Sequence, residues 1–313
     1  MNHRQISRRF QPDSPADVLN EVLAILKLIS LDFDTDPVKD VFNAAKRLYT
    51  GKYLGYRACN TDYHDHRHAC AVFLAMARLI HGAVIDKVTF TVKQVVLGLT
   101  AAILHDAGYI KEASDKDGTG AKHTARHVQR SMEFLNRHGA EHGLTPEEIA
   151  AVQNMIRCTD LSTDIATVNF SDSKTELLGK MLGTADLLAQ LADRIYLEKL
   201  LFLYYEYKEG GVGDYKSELD VLKNAVEFYD YSEDRLKTTL DGTDRFMSSH
   251  FASQWNIDKN LYREMITRQK NYLLKILKIP DADPRDHLKR GGIVEKIRNK
   301  YHKKGSAIEK DSN

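Results

Sequence analysis

Apolar residues recur along most of this chain at the spacing of a helix. Between residues 18 and 29 they lie three or four positions apart, which places them on one face of a helix. Ser14 and Pro15 precede this stripe and are typical of a helix start, because a hydroxyl caps free N–H groups and proline fits the first turn. The same pattern predicts helices over residues 15–29, 36–50, 61–82, 91–104, 122–138, 145–156, 175–207, 215–229, 231–250 and 258–278.

The chain contains no glycine-rich phosphate loop and no internal repeat, and only residues 88–90 and 166–168 have a β-like pattern. We therefore predict an all-α fold, a single multi-helix bundle over residues 14–284. Residues 1–13 are polar and are expected to be disordered. Residues 285–313 are expected to form a mobile basic tail, because eight basic and two acidic residues lie between positions 285 and 304. Such a charge run fits a solvated end, with contact to RNA or an acidic lipid as the alternative.

Composition excludes several classes of protein. A hydrophobic content of 42% with 28% charged residues is ordinary for a soluble domain with a real core. A net charge of +1 gives no bulk attraction to polyanions, so nucleic acid is not an expected partner. Three cysteines without CxxC spacing argue against a disulfide framework and favour a reducing compartment. No apolar run approaches the roughly 20 residues of a membrane helix and no secretory signal is evident, so we expect a cytoplasmic protein with no membrane partner.

His105 and Asp106 follow an apolar run that predicts a buried helix over residues 91–104. A buried imidazole beside a carboxylate is unfavourable unless a metal ion or another strong partner compensates the charge. Both groups are ligands of divalent metal ions, and the two oxygens of a carboxylate would allow Asp106 to bridge two ions. A solvated surface pair is the structural alternative, but the apolar flank favours a functional pair.

His64 and His68 lie four residues apart in the helix predicted over residues 61–82, so both imidazoles should share one face. This spacing suits two metal ligands, or one ligand and one acid–base group. Solvated histidines at a polar helix start are the structural alternative.

Asp186 interrupts an otherwise apolar part of the helix predicted over residues 175–207. A lone carboxylate at such a position is either a metal ligand or paired with a basic side chain. Asp193 follows two turns later on the same face, where it would hold a ligand or the substrate in place, or form a structural ion pair with Arg194.

Lys122, His123 and His127 follow a charged, glycine-bounded loop over residues 108–120. These side chains could bind a second metal ion or a phosphate, or could simply lie at the start of a surface helix. We favour His123, together with Lys122, because it lies nearer the loop.

Taken together, these motifs resemble the HD superfamily of metal-dependent phosphohydrolases. The resemblance covers residues 55–210 and implies an all-α bundle of the HD-domain type. The segments most similar to the catalytic domain of cyclic-nucleotide phosphodiesterases are Tyr63-His64-x-x-x-His68-Ala69, His105-Asp106 and Thr184-Ala185-Asp186-Leu187.

The resemblance also implies roles for individual residues. The first of two divalent metal ions would be held by His68, His105, Asp106 and Asp186, and Asp106 would also reach the second ion. His64 would protonate the leaving oxygen. Two ions about 3.5–4 Å apart would activate a bridging water and neutralise charge on the phosphate. The ligand types fit Zn, Mn, Fe, Co or Ni at the first site and Mg or Mn at the second.

The chain departs from the phosphodiesterase branch in two places. Ala107-Gly108-Tyr109-Ile110 follows the His-Asp pair where that branch carries another histidine, and no matched glutamine is present to clamp a purine. Gln254 and Gln269 lie in the corresponding region without a matching motif. The resemblance therefore implies hydrolysis of a phosphodiester or phosphomonoester in a small nucleotide-like substrate, with a cyclic nucleotide as one candidate.

The alternative is a non-catalytic HD-type module that senses a metal ion or a nucleotide or binds a partner. A degenerate module would be expected to have lost one of the ligands or the proton donor. All five residues are present, which favours the enzyme. The sequence leaves a homo-oligomer as an open alternative to a monomer.

Overall fold

The structure of the protein is a computed structural model that describes residues 10–302. Within this range the regular structure is helical, and β-type pairing is limited to two isolated bridges. The prediction of an all-α fold is therefore confirmed. The α-helices of the described residues are α1 Pro15–Ile29, α2 Asp36–Tyr49, α3 His66–Ile85, α4 Val92–Leu104, α5 His127–His138, α6 Pro146–Arg157, α7 Ser173–Leu191, α8 Tyr196–Gly210, α9 Glu218–Lys237, α10 Phe246–Trp255, α11 Leu261–Leu277 and α12 Ile293–Ile297.

Several helices begin at the capping residues that the sequence contains. The side chain of Ser14 accepts a hydrogen bond from the first turn of α1. Thr91 with Gln94, and Thr145 with Glu148, form capping boxes at the starts of α4 and α6. These bonds satisfy N–H groups that the first turn of a helix leaves without an intrahelical partner. The three helices accordingly begin as predicted.

Helix α3 is the centre of the fold and packs against α1, α4, α7 and α10. Because it has neighbours on several sides, its apolar residues are not confined to a single stripe. Contrary to the expectation that no apolar run approaches the length of a membrane helix, it is the one helix of the described range that is long and apolar enough to cross a membrane by length and composition alone. However, 83% of that span is buried inside the protein, which is the burial of a core helix.

A second apolar cluster joins α8 and α9 to the C-terminal helix α12. Ile293 and Ile297 of α12 are 4% and 1% exposed in this cluster. Residues 285–302 therefore pack on the protein, because the apolar residues between the basic ones cover a face of α8. The mobility of the tail stays a prediction. Residues 303–313 lie outside the described residues.

The N-terminal segment is also ordered where the structure describes it. Phe10 is 8% exposed, and its carbonyl accepts a hydrogen bond at 3.0 Å from Nη1 of the fully buried Arg78. The guanidinium of Arg78 also lies over the ring of Phe10. Phe10 therefore packs against the core, and residues 1–9 lie outside the described residues.

The long helix predicted over residues 175–207 is two helices, α7 and α8. Gln269 donates a side-chain hydrogen bond to the carbonyl of Asp193, and Gln11 donates one to the carbonyl of Ala192 at 2.9 Å. Distant side chains therefore stabilise the interruption. Helical periodicity could not reveal it, because the junction contains neither glycine nor proline.

Candidate metal centre

Helix α4 ends at the His105-Asp106 pair and buries both side chains, which are 2% and 3% exposed. His105 Nδ1 donates a hydrogen bond to the carbonyl of Ala102 at 2.9 Å. In the neutral ring, this bond fixes the tautomer and leaves Nε2 as the nitrogen with a free lone pair. Metal-binding histidines are commonly oriented in this way by a backbone carbonyl.

The turn after Asp106 packs tightly on α5. A Cβ atom on Gly108 would lie 1.9 Å from the carbonyl oxygen of His127, so only glycine allows this approach of the two backbones. Ser131 of α5 accepts from the N–H of Gly108 at 2.9 Å and donates to the carbonyl of His105 at 2.6 Å. The turn and α5 are thereby joined, and His127 lies next to the His-Asp pair.

His68 from α3 and Asp186 from α7 reach the same pair. His68 Nε2 lies 3.5 Å from Asp106 Oδ2 and 3.1 Å from Asp186 Oδ1. His105 Nε2 lies 3.3 Å and 3.7 Å from the same two oxygens. One ligand atom from each of His68, His105 and Asp106 falls within 4.8 Å of the others. The structure thus brings together the four side chains that the sequence singles out as ligands of a first metal ion.

Two buried polar atoms of this cluster have no hydrogen-bond partner among the described residues. They are His105 Nε2 and Asp106 Oδ2, which lie 3.3 Å apart. Buried polar atoms are nearly always satisfied in folded proteins. A nitrogen and an oxygen left without a partner at this distance are the donor set that binds a divalent cation. The residues present therefore fit a metal ion.

The negative charges of the cluster also favour a bound cation. Burial lowers the pKa of His105, but the carboxylates of Asp106 and Asp186 outweigh it and raise that pKa to about 9. Burial would raise the pKa of Asp106, yet the neighbouring histidines hold it well below its usual range. The two carboxylates thus attract positive charge. A metal ion would supply this charge and release the imidazole proton.

His64 precedes α3 rather than lying in it. The side chain of Asp65 caps α3 by accepting from the N–H groups of Arg67 and His68, so the helix begins at His66. The predicted helical face shared by His64 and His68 is therefore wrong. Their rings are nevertheless neighbours, with centroids 6.1 Å apart.

Glu206 of α8 orients His64. Its Oε2 lies 2.7 Å from His64 Nδ1, and its Oε1 accepts from the N–H of Tyr63 at 2.7 Å. Burial opposes a charge on His64, but the bond to Glu206 contributes to raising its pKa above the ordinary value. We did not predict Glu206 from the sequence. Its signal is a buried carboxylate in a tyrosine-rich helix, a feature that it shares with Glu198 of the same helix.

His127 is the histidine after the glycine-bounded loop that reaches the cluster. Its Nε2 lies 3.8 Å from Asp106 Oδ1, the carboxylate oxygen opposite the one that faces the other two histidines. Its Nδ1 donates to the carbonyl of Thr124 at 2.7 Å. Burial lowers the pKa of His127 and so favours the neutral imidazole, which is the form that binds metals. Tyr109 stacks on His127 and on His64, with centroid distances of 4.7 Å and 4.3 Å.

His123 and Lys122, our predicted candidates for a second metal ion or a phosphate, lie elsewhere. His123 Nε2 is 3.4 Å from Asp115 Oδ2, and Lys122 Nζ is 2.6 Å from Asp115 Oδ1. Of the two histidines, His127 is the one with a contact to Asp106, whereas the contact of His123 is with Asp115. Closeness to the loop in sequence was the wrong criterion, because the contact between Gly108 and α5 decides which histidine reaches the cluster.

Asp193 does not contact the metal-ligand cluster. Its Oδ2 pairs with Lys199 Nζ at 2.9 Å, and its Oδ1 accepts from the N–H of Ile195 at 3.1 Å. The predicted face shared with Asp186 does not form, because α7 ends at Leu191. Asp193 instead stabilises the α7–α8 junction.

Neither late glutamine reaches the cluster. Gln254 donates to Ser253 at 3.3 Å, and the buried Gln269 donates to the carbonyl of Asp193. Their hydrogen bonds are those of structural residues.

Comparison with known proteins assigns the chain to a family. A sequence model of the Npun_R2479-like family matches residues 54–240, which is more than half of the chain, and the chain belongs to that family. A search of curated proteins finds no match. The matched region contains the residues of the cluster and its surroundings, namely His64, His68, His105, Asp106, His127, Asp186 and Glu206.

Proposed function

We propose that the protein is a metal-dependent phosphohydrolase of the HD type that hydrolyses a phosphodiester or phosphomonoester bond in a nucleotide-like substrate. One observation carries this proposal. His68, His105, Asp106 and Asp186 converge in a buried cluster in which a nitrogen and an oxygen have no partner among the described residues. The bundle is assigned to the HD type because α3, α4 and α7 provide these ligands in the chain order of that superfamily.

The residues provide places for two divalent ions. The four-residue cluster would hold the first ion, and Asp106 Oδ1 with His127 Nε2 would contribute to a second. When bound, the ions would act as Lewis acids that polarise the phosphate and lower the pKa of an attacking water. The buried carboxylates and neutral imidazoles of the chain hold these charges in a fixed place before the substrate arrives.

His64 is the proton donor in this proposal. Glu206 engages its Nδ1, so Nε2 is the ring nitrogen that would protonate the leaving oxygen. The raised pKa of His64 favours the imidazolium, which is the form that a general acid requires. Tyr109 limits rotation of the ring, because the two rings stack with an interplanar angle of 10°.

The test is hydrolysis of chromogenic esters by protein reconstituted with Mn²⁺ or Zn²⁺. Bis-p-nitrophenyl phosphate and p-nitrophenyl phosphate would separate diester from monoester activity, and a nucleotide screen would follow. We expect Asp106→Ala to lose metal and hydrolysis together. We expect His64→Ala to keep the metal and to lose turnover by roughly 10²–10⁴-fold. His123→Ala is the matched control and should retain both properties.

Two results would contradict the proposal. Absence of ester hydrolysis by the metal-loaded protein would leave a metal-binding helical module, the non-catalytic alternative. Loss of metal from His64→Ala to the same extent as from Asp106→Ala would make His64 a ligand and remove its role as the acid.

A further inference from the structure

A cavity of about 600 Å³ lies beside the metal-ligand cluster. His68 forms part of its wall, so one end of the cavity adjoins the cluster, and α1, α3 and the α7–α8 junction contribute the other walls. Small-molecule sites commonly have volumes of about 300–1,000 Å³. The cavity is therefore large enough for the part of a substrate that lies beyond the reacting phosphate.

Three cationic side chains line this cavity: Arg67, Arg194 and Lys199. Lys199 is paired with Asp193 at 2.9 Å. Arg67 and Arg194 are both exposed at the rim of the cavity, and neither forms an ion pair with a residue between positions 10 and 302, although Asp13 also lies in the wall. A guanidinium with no carboxylate partner offers a planar set of donors that matches a phosphate or a carboxylate.

The side-chain amide of Gln190 also lines this cavity, and a hydrogen bond fixes its orientation. Tyr63 donates its hydroxyl hydrogen to Gln190 Oε1 at 3.0 Å, and the backbone N–H of Tyr63 is held by Glu206. Because the amide oxygen is engaged, the NH₂ group of Gln190 is the part left to donate to a ligand. Gln190 lies four residues after Asp186 on α7, so it is on the same face of the helix as a metal-ligand candidate.

Side chains from distant parts of the chain, and not the residues of the junction itself, stabilise the α7–α8 junction. Residues 192–195 contain neither glycine nor proline. Gln11 and Gln269 donate hydrogen bonds to the carbonyls of Ala192 and Asp193. Departures from local sequence preference are expected at functional sites, where the surrounding structure compensates for them. Here the departure places Arg194 in the cavity wall.

We propose that this cavity binds the part of the substrate that lies beyond the reacting phosphate, and that this part carries a second anionic group recognised by Arg67 and Arg194. The inference rests on the proposed phosphohydrolase function. The substrate class is then a phosphate ester with a second phosphate or carboxylate at a distance from the reacting one. The uncharged middle of such a molecule would lie against the apolar wall that Leu74 and Tyr196 provide.

The experiment compares two ligands that cannot be hydrolysed, an alkylphosphonate and the diphosphonate with a second phosphonate at the other end of the same chain. Their affinities for Mn²⁺-loaded wild-type protein are measured by calorimetry. A charge-assisted pair of hydrogen bonds predicts a preference of about tenfold or more for the diphosphonate. The double variant Arg67→Gln/Arg194→Gln should lose this preference, and its metal content should equal that of the wild type. Arg268→Gln, an exposed arginine outside the cavity, should keep it.

The possible outcomes separate this inference from the proposed function. A preference that is absent, that survives in the double variant, or that falls equally in Arg268→Gln would overturn the anion site. Chelation of Mn²⁺ by the diphosphonate is the same for all variants and cannot mimic a loss confined to the double variant. If the preference is found but no phosphate ester is hydrolysed, the anion site stands and the hydrolase proposal fails.

Discussion

Asp106 lies between the histidines of the candidate centre and has histidines near both of its carboxylate oxygens. Its Oδ2 faces His68 and His105, whereas its Oδ1 faces His127. A carboxylate with histidines at both oxygens can bridge two cations, and no other residue of the cluster presents two ligand atoms in this way. The number of bound ions therefore depends on His127, whereas the interpretation of the sequence favoured His123.

The pair of variants His127→Ala and His123→Ala tests this point at the residue scale. We expect His127→Ala to bind fewer metal equivalents than the wild type, because it removes the nitrogen nearest Asp106 Oδ1. His123→Ala should bind the wild-type number, since its imidazole pairs with Asp115. Elemental analysis after reconstitution with Mn²⁺ gives both numbers. Equal metal content in the two variants would rule out a site at His127.

Glu206→Gln tests the orientation and protonation of His64. The carboxylate stabilises the protonated imidazole, so its removal should lower the pKa of His64. Activity that needs protonated His64 is present below that pKa and is lost as pH rises through it, so the alkaline limb should move to lower pH in the variant. Turnover should fall by roughly 10–100-fold with the metal retained. An unchanged pH profile would contradict the role of Glu206.

Some residues of the candidate site could be predicted from the sequence, because their type is informative without knowledge of their partners. His105, Asp106 and Asp186 stand out because histidine or carboxylate beside or within an apolar helical run requires a partner. His68 stands out by its spacing from His64. Glu206 could not be predicted, because its partner His64 lies 142 residues earlier and nothing local links them.

At the scale of elements, the contact between the turn after α4 and helix α5 positions the centre. Ser131 and Arg130 are side chains of α5 that join them. Ser131 bonds both the N–H of Gly108 and the carbonyl of His105, and Arg130 donates to the carbonyls of Gly108 and Ile110. Helix starts with a hydroxyl, a proline or a capping box were predictable because those signals are local. This contact was not, because it depends on which two backbones meet in space.

Ser131→Ala should weaken that contact. The variant leaves the buried N–H of Gly108 without its acceptor, which costs about 1–3 kcal/mol of unfolding free energy. Urea unfolding followed by circular dichroism measures the change, and the exposed Ser253→Ala is the control that should stay within about 0.5 kcal/mol of the wild type. A Ser131→Ala protein as stable as the control would show that the contact does not hold the turn in place.

At the scale of the whole molecule, the core contains a histidine pair remote from the metal ligands. His81 of α3 and His250 of α10 face each other with their Nδ1 atoms 3.1 Å apart. Burial lowers the pKa of His250 well below its ordinary value, and the nearby Arg78 and His81 lower it further. Folding therefore requires His250 to be neutral.

This requirement predicts a pH-dependent stability. The unfolded chain takes up a proton at His250 near pH 6.5, whereas the folded chain does not. The contribution of neutral His250 to the free energy of unfolding therefore has its full value above that pH. It declines as pH falls, by up to about 1.4 kcal/mol per pH unit for one proton. His250→Phe should show a shallower loss between pH 7.5 and 5.5 in urea unfolding. Parallel losses in the two proteins would contradict this assignment.

The central claim is that the buried histidines and carboxylates form a metal centre, and the metal content of the purified protein tests it most directly. Elemental analysis would compare the wild type, Asp106→Ala and His123→Ala after the same reconstitution with Mn²⁺ or Zn²⁺. We predict at least one equivalent of metal in the wild type and in His123→Ala, and its loss in Asp106→Ala. Absence of metal from the wild type, or equal metal in Asp106→Ala, would contradict the claim.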